Sequence, residues 1–231
     1  MPSGNRGIVV AIDGPSGAGK STVSELLAKR LGYIKVDTGS MYRSAALLLH
    51  ESGTDFDDVA SVEKFCRNLD IKFGHSDRGE RVIANGKDVT DLIRTPEISL
   101  LASRVSAIRP VREAMMRLQR EMGKHGGVVL EGRDIGTVVF PDAEVKFFLS
   151  ASTEERGKRR YAELIARGEK TTLQATINDV AKRDEQDMKR DIAPLRQAGD
   201  AVVIDSSGLS AEQVLDLMEK CVKEKKGVCE S

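Results

Sequence analysis

Gly7-Ile-Val-Val-Ala-Ile-Asp-Gly-Pro-Ser-Gly-Ala-Gly-Lys-Ser-Thr22 constrains this 231-residue chain more than any other stretch. Its apolar, β-branched run from Ile8 to Ile12 predicts a buried strand. The run stops at Asp13-Gly14, and a helical pattern begins near Gly19. Between them, Gly14-x-x-x-x-Gly19-Lys20-Ser21 has the P-loop spacing. Glycines let backbone N–H groups wrap phosphate oxygens without Cβ clashes, and the helix N-terminus that follows adds partial positive charge. Lys20 can reach the β- and γ-phosphates, and the Ser21 hydroxyl can ligate Mg²⁺ with the nucleotide. Gly14, Pro15, Ser16, Gly17, Ala18, Gly19, Lys20, Ser21 and Thr22 are therefore the expected cradle of a nucleoside triphosphate.

The chain is long enough for one large domain, with or without insertions. Its 36 basic and 36 acidic residues cancel, which argues against a broad nucleic-acid or membrane surface but leaves room for a local arginine cluster. Few aromatics and no Trp argue against base-stacking platforms. Cys66, Cys221 and Cys229 show no metal-binding spacing, and a reducing compartment is the simpler reading. His50, His75 and His125 lie outside any ligand motif and read as solvated or structural. Met1 to Arg6 is too polar for a signal peptide, and no apolar run approaches a membrane span. A soluble, cytoplasmic monomer is expected.

Along the chain, Val23, Leu26, Leu27 and Leu31 stripe a first helix that Gly32 should end. Ile34 to Val36 reads as a strand closed by Asp37-Thr38-Gly39, before a helix bearing Met41, Ala45, Leu48 and Leu49. Helical spacing resumes at Val59, Val62, Phe65, Cys66 and Leu69. Residues 70 to 92 then alternate, and Asn85-Gly86 is a type I′ hairpin signal. A small antiparallel sheet inserted there is either a substrate lid or a stabilising appendage.

Thr95-Pro96 should start one helix and Pro110 another, which Gly126-Gly127 ends. Val128 to Leu130 leads as a strand into Glu131-Gly-Arg-Asp-Ile-Gly-Thr137, and Val145 to Leu149 is a further strand. Ser152-x-x-Glu155 caps a helix to about Arg167 that is too polar for core, hence a solvated connector or a mobile lid. Another helix spans Thr172 to Arg190, Ala201 to Ile204 is a last strand, and Ser210-x-x-Gln213 caps a terminal helix that should fray from Lys223.

Five short apolar strands separated by helices imply an α/β fold, a parallel sheet flanked by helices, with ligands at the carboxyl ends of the strands. The P-loop, Asp37-Thr38-Gly39 and Glu131-Gly132-Arg133-Asp134 all follow strands. Arg43, Arg112, Arg133, Arg183 and Arg190 are more cations than one triphosphate needs, which suggests a second phosphate on an acceptor. At about 100° per residue, Arg183, Asp187 and Arg190 fall within roughly 60° of one another, bordering an apolar stripe of Ile177, Val180, Ala181 and Met188. Spacing alone does not choose between a ligand clamp and an intrahelical salt-bridge set. A GTPase would need an Asn-Lys-x-Asp guanine reader, and the sequence has none.

The chain resembles the bacterial cytidylate kinase family of nucleoside monophosphate kinases. The matching motifs are Ile-Asp-Gly-Pro-Ser-Gly-Ala-Gly-Lys-Ser, Asp37-Thr-Gly-Ser-Met-Tyr-Arg43, Ile93-Arg-Thr-Pro-Glu97, Val111-Arg-Glu113, Gly132-Arg-Asp-Ile-Gly-Thr-Val-Val-Phe-Pro141, and Arg183-Asp184 followed by Arg190-x-x-Ala-Pro-Leu195. The resemblance implies a P-loop kinase fold in a single domain, with a core at roughly 1–62, 96–155 and 173–231. It places a monophosphate-side insert at roughly 63–95 and a lid at roughly 156–172. It implies that Arg43, Arg133 and Arg190 hold the acceptor phosphate and the transferring group, with Lys20 as a further catalytic cation. Ser103, Arg112 and Asp134 would read the cytosine edge, and Arg183 and Asp187 would address the ribose. Asp37, Thr38, Tyr42 and Gly132 would line the acceptor site, and Arg160 of the lid would meet ATP. Glu131 stands where Asp is frequent in the family, which leaves open whether it orients Mg²⁺-bound water or caps its loop. The expected reaction moves the γ-phosphoryl group of MgATP to CMP or dCMP. The rivals are a P-loop kinase for another small acceptor, such as shikimate, and a nucleotide-dependent regulatory or RNA-binding module.

Overall fold

The computed structural model describes residues 7–76 and 79–229 of the chain. The expectations for Met1 to Arg6, for the side chains of His75 and Cys229, and for the last two residues fall outside the described residues. From the amino end the chain forms β1 (Val9–Asp13), α1 (Lys20–Leu31), β2 (Ile34–Asp37), α2 (Thr38–Glu51) and α3 (Val59–Arg67). Three short strands follow, β3 (Ile71–Ser76), β4 (Gly79–Ala84) and β5 (Lys87–Asp88), then helices α4 (Pro96–Val105) and α5 (Arg109–Gly123). The remainder is β6 (Val128–Gly132), β7 (Val145–Ser150), α6 (Thr153–Ala166), α7 (Leu173–Lys189), β8 (Val202–Asp205) and α8 (Ala211–Cys229). Two compact units emerge, one made of the residues up to Lys35 and from His125 onward, the other of Val36–Lys124.

In the first unit β1 is the central strand of a five-stranded sheet ordered β2-β6-β1-β7-β8. It pairs in parallel with β6, Val9 beside Val128 through Asp13 beside Gly132, and in parallel with β7, Val10 beside Val145 through Asp13 beside Phe148. Both faces of such a strand are covered, which is why β1 reads as a continuous apolar run and why all five of its residues are buried. Val10, Ile12, Val23, Leu27, Phe147 and Leu149 form the core with Val214, Leu215, Met218 and Val222 of α8. Where β1 ends, a Cβ on Gly14 would lie 2.0 Å from the Leu149 carbonyl oxygen, so only glycine lets the chain turn out of the sheet there. Gly32, with φ of 68°, ends α1 as expected.

The second unit packs α2 against α4 and α5, and α3 against α5. Asp58 caps α3, and Thr95 caps α4 by accepting from the Ile98 N–H. The antiparallel sheet forms in the order β3-β4-β5, and its second turn carries positive φ at both Asn85 (46°) and Gly86 (80°), the type I′ geometry that the dipeptide predicts.

Four expectations need correction. α5 stops at Gly123, ahead of the Gly126-Gly127 pair. α8 stays helical through Cys229 instead of fraying from Lys223, because Val222 is buried and Lys223 pairs with Glu219 at 2.8 Å one turn earlier. α7 does not bury Ala181 or Met188, since its inward face is Thr176, Val180, Asp184 and Asp187. The start of α6 is not solvated: Arg156 and Gly157 are buried, and a Cβ on Gly157 would lie 2.4 Å from Ile177 Cγ1 of α7. These polar residues turn inward because they find ionic partners on other elements, Arg156 of α6 with Asp184 of α7 and Asp187 of α7 with Arg133 just after β6.

Candidate active site

The P-loop is held from several sides. Lys20 is buried, and its ammonium donates to the Pro15 carbonyl at 2.6 Å. Burial pulls its pKa well below the usual lysine value, Arg133 pulls further, and Glu131 and Asp13 oppose. Ser21 Oγ donates to Glu131 Oε2 at 2.8 Å, and Ser24 Oγ lies 3.3 Å from Glu131 Oε1. Glu131 thus grips the first turn of α1 from the end of β6, with Lys35 Nζ 3.9 Å away.

α6 reaches the loop through two arginines. Arg156 donates through Nη1 to the Ser16 carbonyl at 3.0 Å and through Nε to the Ala151 carbonyl at 2.9 Å, and pairs with Asp184 of α7 at 2.5 Å. Arg159 donates to the Ser206 hydroxyl and carbonyl, while Ser206 Oγ donates to the Ala18 carbonyl at 3.1 Å. Arg160, expected to meet ATP, pairs with Glu163 on its own helix at 3.0 Å.

Beside the P-loop, β6 delivers Gly132, Arg133 and Asp134 into a single π-helical turn, Ile135–Val139. Arg133 Nε donates to Asp187 Oδ2 at 2.8 Å, and Arg190 Nη1 lies 3.8 Å from Asp187 Oδ1. Burial pushes the Asp187 carboxyl up, but Arg133, Arg190 and Arg183 together outweigh it and leave the pKa below the usual carboxylate range. The row on α7 is therefore one acid surrounded by three arginines, one of them brought in from β6. Arg190 stands just beyond α7 and donates to the Ala193 carbonyl at 3.2 Å, in a loop where Ala193 itself takes a positive φ of 49°.

The second unit gathers Asp37, Tyr42, Arg43, Ser103 and Arg112. Asp37 caps α2 by accepting from the Ser40 N–H at 3.0 Å, and Arg43 Nη2 donates to Ser40 Oγ at 2.7 Å and to Asp37 at 3.3 Å. Thr38 is buried in the same turn. The Arg112 guanidinium lies 5.9 Å from the Tyr42 ring centroid and donates to the Ser106 carbonyl at 3.3 Å, and Ser106 Oγ donates to the Ser103 carbonyl at 2.8 Å.

Two guanidinium Nε atoms, of Arg43 and Arg190, are buried without a hydrogen-bond partner among the described residues. A buried charged donor left unmatched costs free energy unless an acceptor arrives, and an anion supplies one. Among the described residues no group of three or more His, Cys, Asp or Glu could hold a metal ion, and no helix is long and apolar enough to cross a membrane.

The sequence marks Arg156 and Arg159 only as charges of a lid and Asp184 only as a motif residue, and it gives no role to Asp13 or Ser206; the structure ties Arg156, Arg159, Asp184 and Ser206 to the P-loop or to one another. For Asp13 a signal was present, an acid at the end of an otherwise apolar strand. For the others the sequence does not reveal the partners, because these lie far along the chain.

The protein-family model described as cytidylate kinase matches residues 10–224. A cytidylate kinase of Geobacter sp. strain M21 is 62% identical over 219 residues, covering 95% of this chain and 94% of the relative. The cytidylate kinase of Geobacter sulfurreducens is 60% identical over 223 residues, covering 96% of each chain. Among solved structures, a shikimate kinase from Bacteroides thetaiotaomicron aligns with a TM-score of 0.50 at 10% identity, covering 94% of this chain and 98% of that one. At that identity the likeness concerns the fold alone.

Proposed function

The chain belongs to the cytidylate kinase family, and from that membership we propose that it transfers the γ-phosphoryl group of MgATP to CMP or dCMP, giving ADP and CDP or dCDP. The observation that carries the reading to this chain's own residues is the pair of unmatched, buried Nε donors on Arg43 and Arg190. Each, taken within its own unit, is a donor that a phosphate oxygen would satisfy.

A phosphate monoester has its second pKa near 6 and is largely dianionic at neutral pH, so its oxygen attacks without a strong general base. Catalysis then rests on positioning and charge neutralisation. Gly14 to Thr22 would cradle the triphosphate, with Lys20 leaving the Pro15 carbonyl for phosphate oxygens. Arg43, Arg133 and Arg190 would hold the acceptor phosphate and the transferring group. Asp187 now holds Arg133; with Arg183 it would also address the ribose. Thr38 and Tyr42 would line the acceptor site, and Ser103, Arg112 and Asp134 would read the base. The Ser21 hydroxyl and the Glu131 carboxylate are adjacent oxygen donors of the kind Mg²⁺ takes, so Ser21 would hold the ion with the nucleotide phosphates and Glu131 would orient it. When bound, Mg²⁺ neutralises charge building on the β- and γ-phosphate oxygens. The insert at 63–95 and the lid at 156–172 belong to the same reading. Since Arg156 is tied to the P-loop, the lid's moving part would begin at Arg160. The enzyme would act as a cytoplasmic monomer.

One assay tests the acceptor: MgATP consumption measured with CMP, dCMP, UMP, AMP, shikimate and no acceptor. CMP and dCMP should accelerate turnover far above the other four conditions. Equal acceleration by UMP or AMP would overturn the specificity, and acceleration by shikimate alone would replace the acceptor class.

A further inference from the structure

Beyond its charge near Lys20, Asp13 has no part in the proposed reaction, yet it is a carboxylate only 4% exposed. It closes β1 immediately before Gly14 and lies beside Gly132 of β6. Its Oδ1 accepts the N–H of Ile135 at 2.9 Å, and its Oδ2 accepts the N–H of Gly136 at 2.7 Å. Those two amides open the π-helical turn directly after Arg133 and Asp134. Residue 136 also approaches the Lys146 side chain closely. A Cβ there would lie 3.4 Å from Asp13 Oδ2 and 3.1 Å from Lys146 Cδ.

We propose that Asp13 is a positioning residue for phosphoryl transfer, its carboxylate clamping the backbone that follows Arg133 and Asp134 to the strand that carries the P-loop. The proposal rests on the assignment of Arg133 to the acceptor and transferring phosphates. One residue thereby belongs to both loops. Its main chain leads into the donor cradle, and its side chain fixes the loop bearing Arg133 and Asp134. A carboxylate suits the task because it only accepts, with one oxygen for each N–H. An amide does not, since turning one group into NH₂ sets a donor against a donor. A displacement of about 1 Å in a reacting assembly can cost on the order of 100-fold in rate, so a clamp outside the substrate's reach can still govern turnover.

The test compares the full chain with its Asp13→Asn, Asp13→Glu and Arg133→Ala variants. Steady-state kinetics with MgATP and CMP, thermal midpoints and residue-resolved amide hydrogen exchange are measured on each. Asp13→Asn should lower kcat about 10–100-fold with the KM for ATP within about 3-fold of wild type. The amides of Ile135 and Gly136 should exchange faster while those of β1 and α1 keep their protection. Asp13→Glu, which keeps both acceptor oxygens on a longer stem, should retain more protection and more turnover than Asp13→Asn.

Wild-type kcat in Asp13→Asn overturns the proposal. So does a loss of kcat with both amides still protected, or a loss of protection spread over the whole sheet. Should Asp13→Asn fail to fold, Asp13→Glu decides, because normal turnover with unprotected amides overturns the proposal equally. Arg133→Ala separates this failure from that of the underlying assignment. Unchanged turnover there removes Arg133 from the mechanism. Collapsed turnover there, beside a wild-type Asp13→Asn, removes only the clamp.

Discussion

Asp13 and Lys20 carry opposite charges into the same buried region, and burial pushes each toward its neutral form. The Asp13 carboxyl pKa stands raised from an ordinary 3.8 to about 6: burial raises it most and Asp134 adds to that, against the Gly136 and Ile135 N–H groups and Lys20, which lower it. The side chain of Lys146 also packs against Gly136, its ammonium held by Asp200 at 2.8 Å. Because the folded-state pKa is raised, the folded chain binds this proton more tightly than the unfolded one. The group's contribution to stability is then fully present below about pH 4 and lost as pH rises through about 6. Asp13→Asn has no proton to bind, so the difference in thermal midpoint, wild type minus variant, should grow in favour of the wild type as pH falls from 7.5 to 5. Two pKa units correspond to a ceiling on the order of 3 kcal/mol, and a shift of a few degrees is expected. A difference that stays flat across that range would place the Asp13 pKa near its ordinary value.

At the scale of elements, the α6–α7 pair joins the P-loop to the row that holds Arg133. Arg156 bonds the Ser16 carbonyl and Asp184, and one turn beyond Asp184 lies Asp187. The contact is close enough that a Cβ on Gly157 would meet Ile177 at Cγ1, Cα and Cβ within 2.4–3.2 Å, backbone included. Gly157→Ala should therefore cost about 1–3 kcal/mol of overpacking and lower kcat by shifting α7, with folding still complete at low temperature. A thermal scan and a kcat measurement check it, and an unchanged midpoint would mean that α7 yields freely. These helices also mark the limit of what was legible in the sequence. β1, the Gly32 terminus, the Asn85-Gly86 hairpin and the caps at Thr95, Ser152 and Ser210 follow from chemistry within a few residues, and all formed. On α7 the apolar stripe predicts Val180, Ala181 and Met188 inside, and of these only Val180 is buried. Here Asp184 and Asp187 are inside, compensated by Arg156 and Arg133, which come from other elements. Periodicity carries no sign of a partner roughly 30 to 50 residues away.

At the scale of the whole molecule, the chain divides the proposed roles between its two compact units. The P-loop, Glu131, Arg156, Arg133 and the α7 row all belong to the unit built on the five-stranded sheet, whereas Tyr42, Arg43, Ser103 and Arg112 belong to Val36–Lys124. The strand pattern reveals the sheet, but the grouping of α2, α4 and α5 with the small antiparallel sheet is a tertiary fact. It arises from packing between helices that lie far apart in sequence. The division has a consequence for binding. Donor nucleotide should depend on the first unit alone, and recognition of the base should fail without harm to it. Arg112 is the position to test, being buried, stacked near the Tyr42 ring and bonded to the Ser106 carbonyl. Arg112→Ala should raise the KM for CMP about 10–100-fold, as expected for loss of one charge-assisted hydrogen bond of roughly 1.5–3 kcal/mol. The affinity for MgATP without acceptor, read by calorimetry, should stay within about 2-fold, since none of its contacts in the first unit has changed. Arg112→Lys, which keeps the charge but not the planar fork, should recover only part of the CMP affinity. If MgATP affinity fell as far as CMP affinity, Arg112 would be supporting the fold at large. If the KM for CMP did not move, base recognition would lie elsewhere in the molecule.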